Sequence, residues 1–284
     1  MNKMSNVKLY LFSVLAALLL VVSGFSFWLS NTIFNEQVLV DKTVAVMTSQ
    51  STVQSLSSAI VDKTLENAPV VKNLIGSKLE GVVGGLLSTD TFANLVKGVS
   101  GKVYLQITSK NPKGVVISTT TIKSLVTPIA NVVATPEQKT KLENLNIPDE
   151  IVIIDPNSVP SIYYLSNYLW IWPFALLGAL GLLFYTIYIS AKNDRLVNTG
   201  KAAGVVAVVA FLAAAVIPSI EPPIVNNIQN YNLRVVAGNI YTSLSAQLFN
   251  IYSYLAVIAL LVVIGVVGYK LFMQYSETRA KAKK

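Results

Sequence analysis

Residues 251–269 read IYSYLAVIALLVVIGVVGY, an uncharged apolar run closed by Lys270. A helix needs about 20 such residues to cross the hydrocarbon core of a bilayer, where every backbone N–H and C=O must be bonded within the segment. Three more runs meet the same requirement. Residues 9–29 lie between Lys8 and Glu36, and residues 169–190 lie inside an uncharged interval from Pro156 to Ala191. Residues 202–220 form the shortest run, closed by Lys201 on one side and by Glu221, Pro222 and Pro223 on the other. The whole chain agrees: 53% of its 284 residues are hydrophobic, only 13% are charged, and its mean hydropathy is +0.57. Soluble domains carry about 25% charge. The expected fold class is a membrane protein, mainly α, with four transmembrane helices and a small, mainly helical mixed α/β extracytoplasmic domain.

Basic residues in short flanks are retained on the cytoplasmic side. If residues 1–8, 191–201 and 270–284 are inside, they hold Lys3, Lys8, Lys192, Arg195, Lys201, Lys270, Arg279, Lys281, Lys283 and Lys284 against Asp194 and Glu277. Those ten cations and two anions account for the entire net charge of +8, because the other twelve Lys/Arg and twelve Asp/Glu cancel. The basic balance is therefore read as topology, and nucleic-acid binding is not expected. The location that follows is the plasma membrane, multi-pass, with both termini cytoplasmic. The first run exceeds a signal-peptide core and lacks an A-x-A-like site. With Ser23-Gly24 as its best cleavage point, retention as an anchor is expected.

The expected order is an extracytoplasmic domain at 30–168, a hairpin of the second and third spans about the 191–201 loop, and an extracytoplasmic loop at 221–250. Within the domain, residues 33–47 are expected to extend the first helix as a stalk. Val53, Leu56, Ile60 and Val61 recur at helical spacing, and Ser51 with Gln54 forms a capping-box pattern, which predicts a helix over 52–66. Pro69 opens a second helix carrying the stripe Val70, Val71, Leu74, Ile75, Leu79, Val82, Val83, Leu86 and Leu87. Phe92, Leu95, Val96 and Val99 indicate a third. Val115–Ser118 and Ile151–Asp155 read as strands, with helices at 122–133 and 135–145 between them, a connection that permits parallel pairing. The 221–250 segment is rich in asparagine, and Val225, Ile228, Leu233, Val236 and Ile240 form an amphipathic face for the larger domain or the membrane surface, with packing on the larger domain the leading expectation.

Cysteine and histidine are both absent. Disulfide frameworks, zinc, haem and iron–sulfur sites and every histidine-based nucleophile pair are thereby excluded. No cofactor, metal or catalytic residue is expected, and the chain is not expected to be an enzyme. Asp149, Glu150 and Asp155 with Asn157 and Ser158 form the densest acidic patch but lack the spacing of a calcium loop. The four apolar cores contain no ionisable residue, which argues against transport coupled to an intramembrane carboxylate.

Small residues are the next signal. Gly200 and Gly204, Ala203 and Ala207, and Ala210 and Ala214 are each four apart, and Gly178, Gly181, Gly265 and Gly268 sit in other spans. Such residues let helices approach closely, within a bundle or between subunits. Trp28, Trp170, Trp172 and Tyr252 are candidates for rings at headgroup depth. Arg279, Lys281, Lys283 and Lys284 are candidates for contact with anionic lipid headgroups.

The layout resembles a group of uncharacterised four-span bacterial integral membrane proteins of actinobacterial type, with a large extracytoplasmic domain between helices one and two. The similarity lies in Ile33-Phe34, the stretch Val53 to Leu65, Leu87-Ser88-Thr89-Asp90-Thr91-Phe92, Val115-Val116-Ile117 and Ile151-Val152-Ile153. It implies topology and no activity. The leading functional expectation is a non-enzymatic membrane protein that presents an extracytoplasmic domain for protein or cell-envelope interaction, as part of a complex. Its partners would be membrane lipids and either further copies or other membrane or envelope proteins. The alternatives are a small-solute channel or transporter subunit and an accessory sensor without its own output domain.

Overall fold

The computed structural model describes residues 6–64, 66, 69–118, 120, 150–155, 161–192 and 194–282. In chain order its elements are α1 (Asn6–Trp28, prolonged by a π-helical turn Leu29–Ile33), α2 (Glu36–Met47), α3 (Gln50–Thr64), α4 (Pro69–Leu87) and α5 (Asp90–Thr108). Strands β1 (Val115–Ser118) and β2 (Glu150–Ile154) follow, then a 3-10 turn at Tyr163–Tyr168. Helices α6 (Ile171–Tyr188), α7 (Arg195–Val225) and α8 (Tyr231–Ala282) complete the chain. Four helical stretches are long and apolar enough to cross a membrane: Asn6–Ile33, Ile171–Tyr188, Arg195–Val225 and Tyr231–Arg279.

The chain forms two compact units. The bundle unit comprises Met1–Leu29, Tyr168–Ile220 and Ser245–Lys284, and the second unit comprises Ser30–Asn167 and Glu221–Leu244.

In the bundle unit, one apolar cluster draws on all four helices: Ala17 and Leu20 of α1, Ala179 of α6, Val206 of α7 and Ala259 of α8. A second joins Ala214, Ile217, Leu248 and Tyr252, with Val21, Trp28 and Ile251 against them. The α6–α7 hairpin is tight. The Arg195 guanidinium donates to the carbonyls of Ser190 at 3.3 Å and Tyr188 at 3.2 Å, and the Asn198 amide donates to the Ser190 hydroxyl at 2.9 Å. The two Arg195 bonds satisfy carbonyls that the end of a helix leaves without donors. Pro173 sits in the first turn of α6, where a missing N–H costs no helical bond.

In the second unit, Val53 and Val61 of α3, Leu79, Val83 and Leu87 of α4, and Phe92 and Val96 of α5 make a separate core. α2 is a helix of its own and not a continuous stalk. The chain breaks at Phe34 and Asn35, and the Asn35 side chain accepts from the Val38 N–H at 3.2 Å as an N-cap. Helix α3 begins two residues before the expected one. Its cap is Ser49, whose hydroxyl accepts from the Thr52 N–H at 3.4 Å, and not Ser51. Helix α5 is capped by Thr89 and runs on through Gly98 and Gly101 to Thr108.

Strands β1 and β2 pair antiparallel, with Ser118 opposite Glu150 and a bulge between Val115 and Val116. This corrects the parallel pairing that the sequence suggested: an antiparallel ribbon needs only a chain reversal, whereas parallel strands need a crossover. One two-stranded ribbon is the only sheet among the described residues. The mixed α/β character expected for this region is therefore not supported, and the unit is helical with a small ribbon. The helices expected at 122–133 and 135–145 lie outside the described residues.

The stretch 221–250 is also corrected. Helix α7 continues through Pro222 and Pro223 to Val225, and α8 begins at Tyr231. The connection is thus 226–230 alone. Asparagines close it at both ends: the Asn227 amide donates to the Pro223 carbonyl at 3.2 Å, and the Asn230 side chain accepts from the Leu233 N–H at 3.1 Å. The guanidinium of Arg234 donates to the Ile228 carbonyl at 3.0 Å. Residues 221–244 belong to the same unit as residues 30–167, as the apolar pattern suggested. The Asn239 amide donates to the Thr52 hydroxyl at 3.1 Å, and the Lys42 ammonium donates to the Ser243 carbonyl at 3.0 Å.

Candidate functional site

The face of α1 turned into the bundle is Leu9, Ser13, Ala16, Ala17, Leu20, Ser23, Gly24 and Ser26. Its small residues recur every three or four positions, so α6 packs closely on it. Hydrogen bonds fasten α1 to the segments around it. Ser23 donates to the Trp172 carbonyl at 2.8 Å and Ser26 donates to the Tyr168 carbonyl at 2.8 Å. From α8, Tyr252 donates its hydroxyl to the Val21 carbonyl at 2.8 Å.

Glycines divide into two groups when a Cβ is placed on each. At Gly200 it meets Val266 Cγ1 at 3.0 Å, at Gly178 Leu19 Cδ1 at 3.5 Å and at Gly204 Val263 Cγ2 at 3.9 Å. Ala207 packs beside them against the four-helix cluster. Gly181, Gly265 and Gly268 face nothing within 4 Å. The tightest approach is Gly24, where a Cβ would lie 2.8 Å from Tyr252 Cε1 and 3.1 Å from Ile251 Cγ2. The sequence reading treated Gly24 only as a cleavage point. The signal that identifies it is the recurrence of Ser13, Ala17 and Gly24 on one face of α1.

The aromatic candidates separate likewise. Trp170 is 62% exposed and stands edge-on to Phe174, with ring centres 5.5 Å apart. Trp172 meets Phe27 edge-on at 5.3 Å, and Trp28 lies 5.7 Å from Phe25 and against the second apolar cluster. Tyr252 is turned into the bundle. It is 3% exposed, held inside the bundle by its bond to Val21 and by the space that Gly24 leaves. Arg279 is exposed near the end of α8, Lys281 lies within the helix, and Lys283 and Lys284 fall outside the described residues.

Of the acidic patch, Glu150 and Asp155 are described and both are exposed. Among the described residues, no group of three Asp or Glu is placed to hold a metal ion. Described residues of the second unit line two clefts. One, of about 380 Å³, is lined by Glu36, Gln37, Asp41 and Lys97, with charges of both signs. The other, of about 460 Å³, lies between α5 and the loop into β1. Both fall within the size range of small-ligand sites. Neither was signalled by helical or strand periodicity, because loop residues supply much of the second.

No protein-family profile matches the chain, and no curated protein or solved structure is significantly similar to it. What stands of the resemblance is four helices of membrane-spanning length, without a family.

Proposed function

We propose that the protein is a multi-pass plasma-membrane protein, not an enzyme, whose bundle anchors the second unit for contact with other proteins or the cell envelope within a complex. The observation that carries this reading is the independent core of the second unit, Val53, Val61, Leu79, Val83, Leu87, Phe92 and Val96. A segment that merely joined two spans would have no need of such a core. Four crossings place both termini on one side, and the clustering of the +8 net charge in 1–8, 191–201 and 270–284 supports the cytoplasm as that side. The second unit would then be extracytoplasmic, and Arg279, Lys281, Lys283 and Lys284 would meet anionic headgroups of the inner leaflet.

The test is crosslinking in intact cells, followed by extraction in detergent, affinity capture and mass spectrometry. Recovery of an envelope protein or of defined oligomers supports the reading, and recovery of monomer alone refutes it. Topology is tested separately. Because the native chain has no cysteine, single cysteines at Lys63 and Lys192 report sidedness to an impermeant maleimide. Labelling of Lys192→Cys from outside intact cells inverts the orientation. A channel or transporter subunit is less well supported, since apolar side chains of all four helices meet in the middle of the bundle.

A further inference from the structure

The cleft between α5 and the loop into β1 is walled by Lys102, Leu105, Gln106, Lys113 and Val116. We propose that it binds a small amphipathic anion, an oxyanion head carried on an apolar stem. This deepens the proposed role of the second unit by naming a ligand class, and it rests on that unit being the part that makes contacts.

Three observations carry it. First, among the described residues the charge in the cleft has one sign: two ammonium groups line it and no carboxylate does. Neither lysine makes an ion pair among the described residues. The other cleft, with Glu36 and Asp41 beside Lys97, largely cancels its own charge. Second, one ammonium group and the backbone beside the other are positioned. The Lys102 ammonium donates to the Val116 carbonyl at 2.6 Å, which fixes its head and leaves further N–H donors for a ligand. Lys113 lies in the loop between Pro112 and Gly114. Gly114 has φ of 83°, and its N–H donates at 2.7 Å to the side-chain oxygen of the buried Gln106. Third, Leu105 and Val116 give the wall an apolar part beside the polar Gln106, Ser109 and Asn111. Leu105 is 55% exposed although its helix has buried positions available, and Val116 is half-buried beside it. A free inorganic anion would use the lysines and waste Leu105, whereas an anion with a short hydrocarbon stem uses both.

The experiment is calorimetric titration of the purified full chain in neutral detergent with butyl phosphate, inorganic phosphate and butanol. Butyl phosphate is expected to bind saturably and about tenfold more tightly than inorganic phosphate, with no binding of butanol. Lys102→Gln with Lys113→Gln is expected to weaken butyl phosphate about tenfold or more, as loss of charge-assisted hydrogen bonds requires. Lys63→Gln, outside the cleft, should bind as the native chain does. Leu105→Ser, at an exposed position that tolerates the change, should bring butyl phosphate down to the level of inorganic phosphate. Unchanged binding in the double-lysine variant overturns the site, and equal binding of the two phosphates by the native chain overturns the apolar stem. Absence of saturable binding by either phosphate also overturns the proposal. Because this titration contains no envelope component, its failure leaves the crosslinking result, and the broader reading, to stand or fall separately.

Discussion

Replacing Gly24 by alanine should loosen the bundle, and the size of the effect can be worked from the contact between α1 and α8. The new methyl group would sit 2.8 Å from Tyr252 Cε1 and 3.1 Å from Ile251 Cγ2. Both distances are inside van der Waals contact, so the ring must move. Tyr252 has little room to do so, being 3% exposed and tied to the Val21 carbonyl at 2.8 Å. Overpacking of a filled core costs about 1–3 kcal/mol. Losing a hydrogen bond between membrane helices adds about 0.6 kcal/mol. Alanine regains up to about 1 kcal/mol of helix propensity over glycine. The net loss should be about 1–3 kcal/mol, read by reversible unfolding in mixed micelles with tryptophan fluorescence. Trp28 packs in the same cluster as Tyr252 and is a local reporter. Tyr252→Ala alone should cost about 3–5 kcal/mol through the cavity it leaves. In the Tyr252→Ala background, Gly24→Ala should cost nothing or stabilise slightly. If it is equally harmful with and without the tyrosine ring, or harmless in the native chain, the reasoning from this contact is wrong.

Gly200→Ala should also destabilise, by less than Gly24→Ala because Val266 Cγ1 stands at 3.0 Å, and Val266→Ala should rescue it in the same unfolding assay. Alanine at Gly181, Gly265 and Gly268 meets nothing within 4 Å and should stabilise the monomer by up to about 1 kcal/mol through helix propensity; a drop in oligomer mass in detergent for any of these variants would show that the position contacts a second copy. Gly114→Ala should destabilise the second unit by about 1–2 kcal/mol, because a φ of 83° is strained for a residue with a Cβ, and thermal unfolding checks it. The pair Lys63–Glu66, at 2.7 Å with both side chains exposed, holds the Glu66 carboxyl below its ordinary range through the lysine's hydrogen bond and charge. A lowered carboxyl stabilises above its unfolded range and loses that contribution as pH falls through the folded one. Lys63→Ala should therefore raise the Glu66 titration midpoint seen by NMR, with no measurable change in thermal stability.

The four spans were legible because uncharged apolar runs of such length have few other uses. Their ends were not. Pro222 and Pro223 suggested a stop, yet α7 includes both, because proline removes bonds only from carbonyls one turn earlier and near a helix end those can find other donors. The asparagines after them read as a long loop, whereas Asn227 and Asn230 act as terminal caps around a short turn. Strand positions were readable from β-branched runs, but pairing direction depends on how residues far apart in sequence meet, and nothing local to Val115 or Ile151 encodes it. In the bundle, Gly200 and Gly204 stand out by their spacing, but which neighbour each glycine faces depends on another helix. Gly24 was missed because its importance lies in Tyr252, more than two hundred residues later. The cleft beside Lys113 was missed because its chemistry is shared between a helix, a loop and a strand, and no single periodicity spans all three.

The Lys63–Glu66 salt bridge stands in open water, with both side chains exposed. Sodium chloride screens such a pair while taking little from the fold. Ionic strength is therefore a dial for whatever charged company this corner of the second unit keeps, turned with little effect on the helix that carries it.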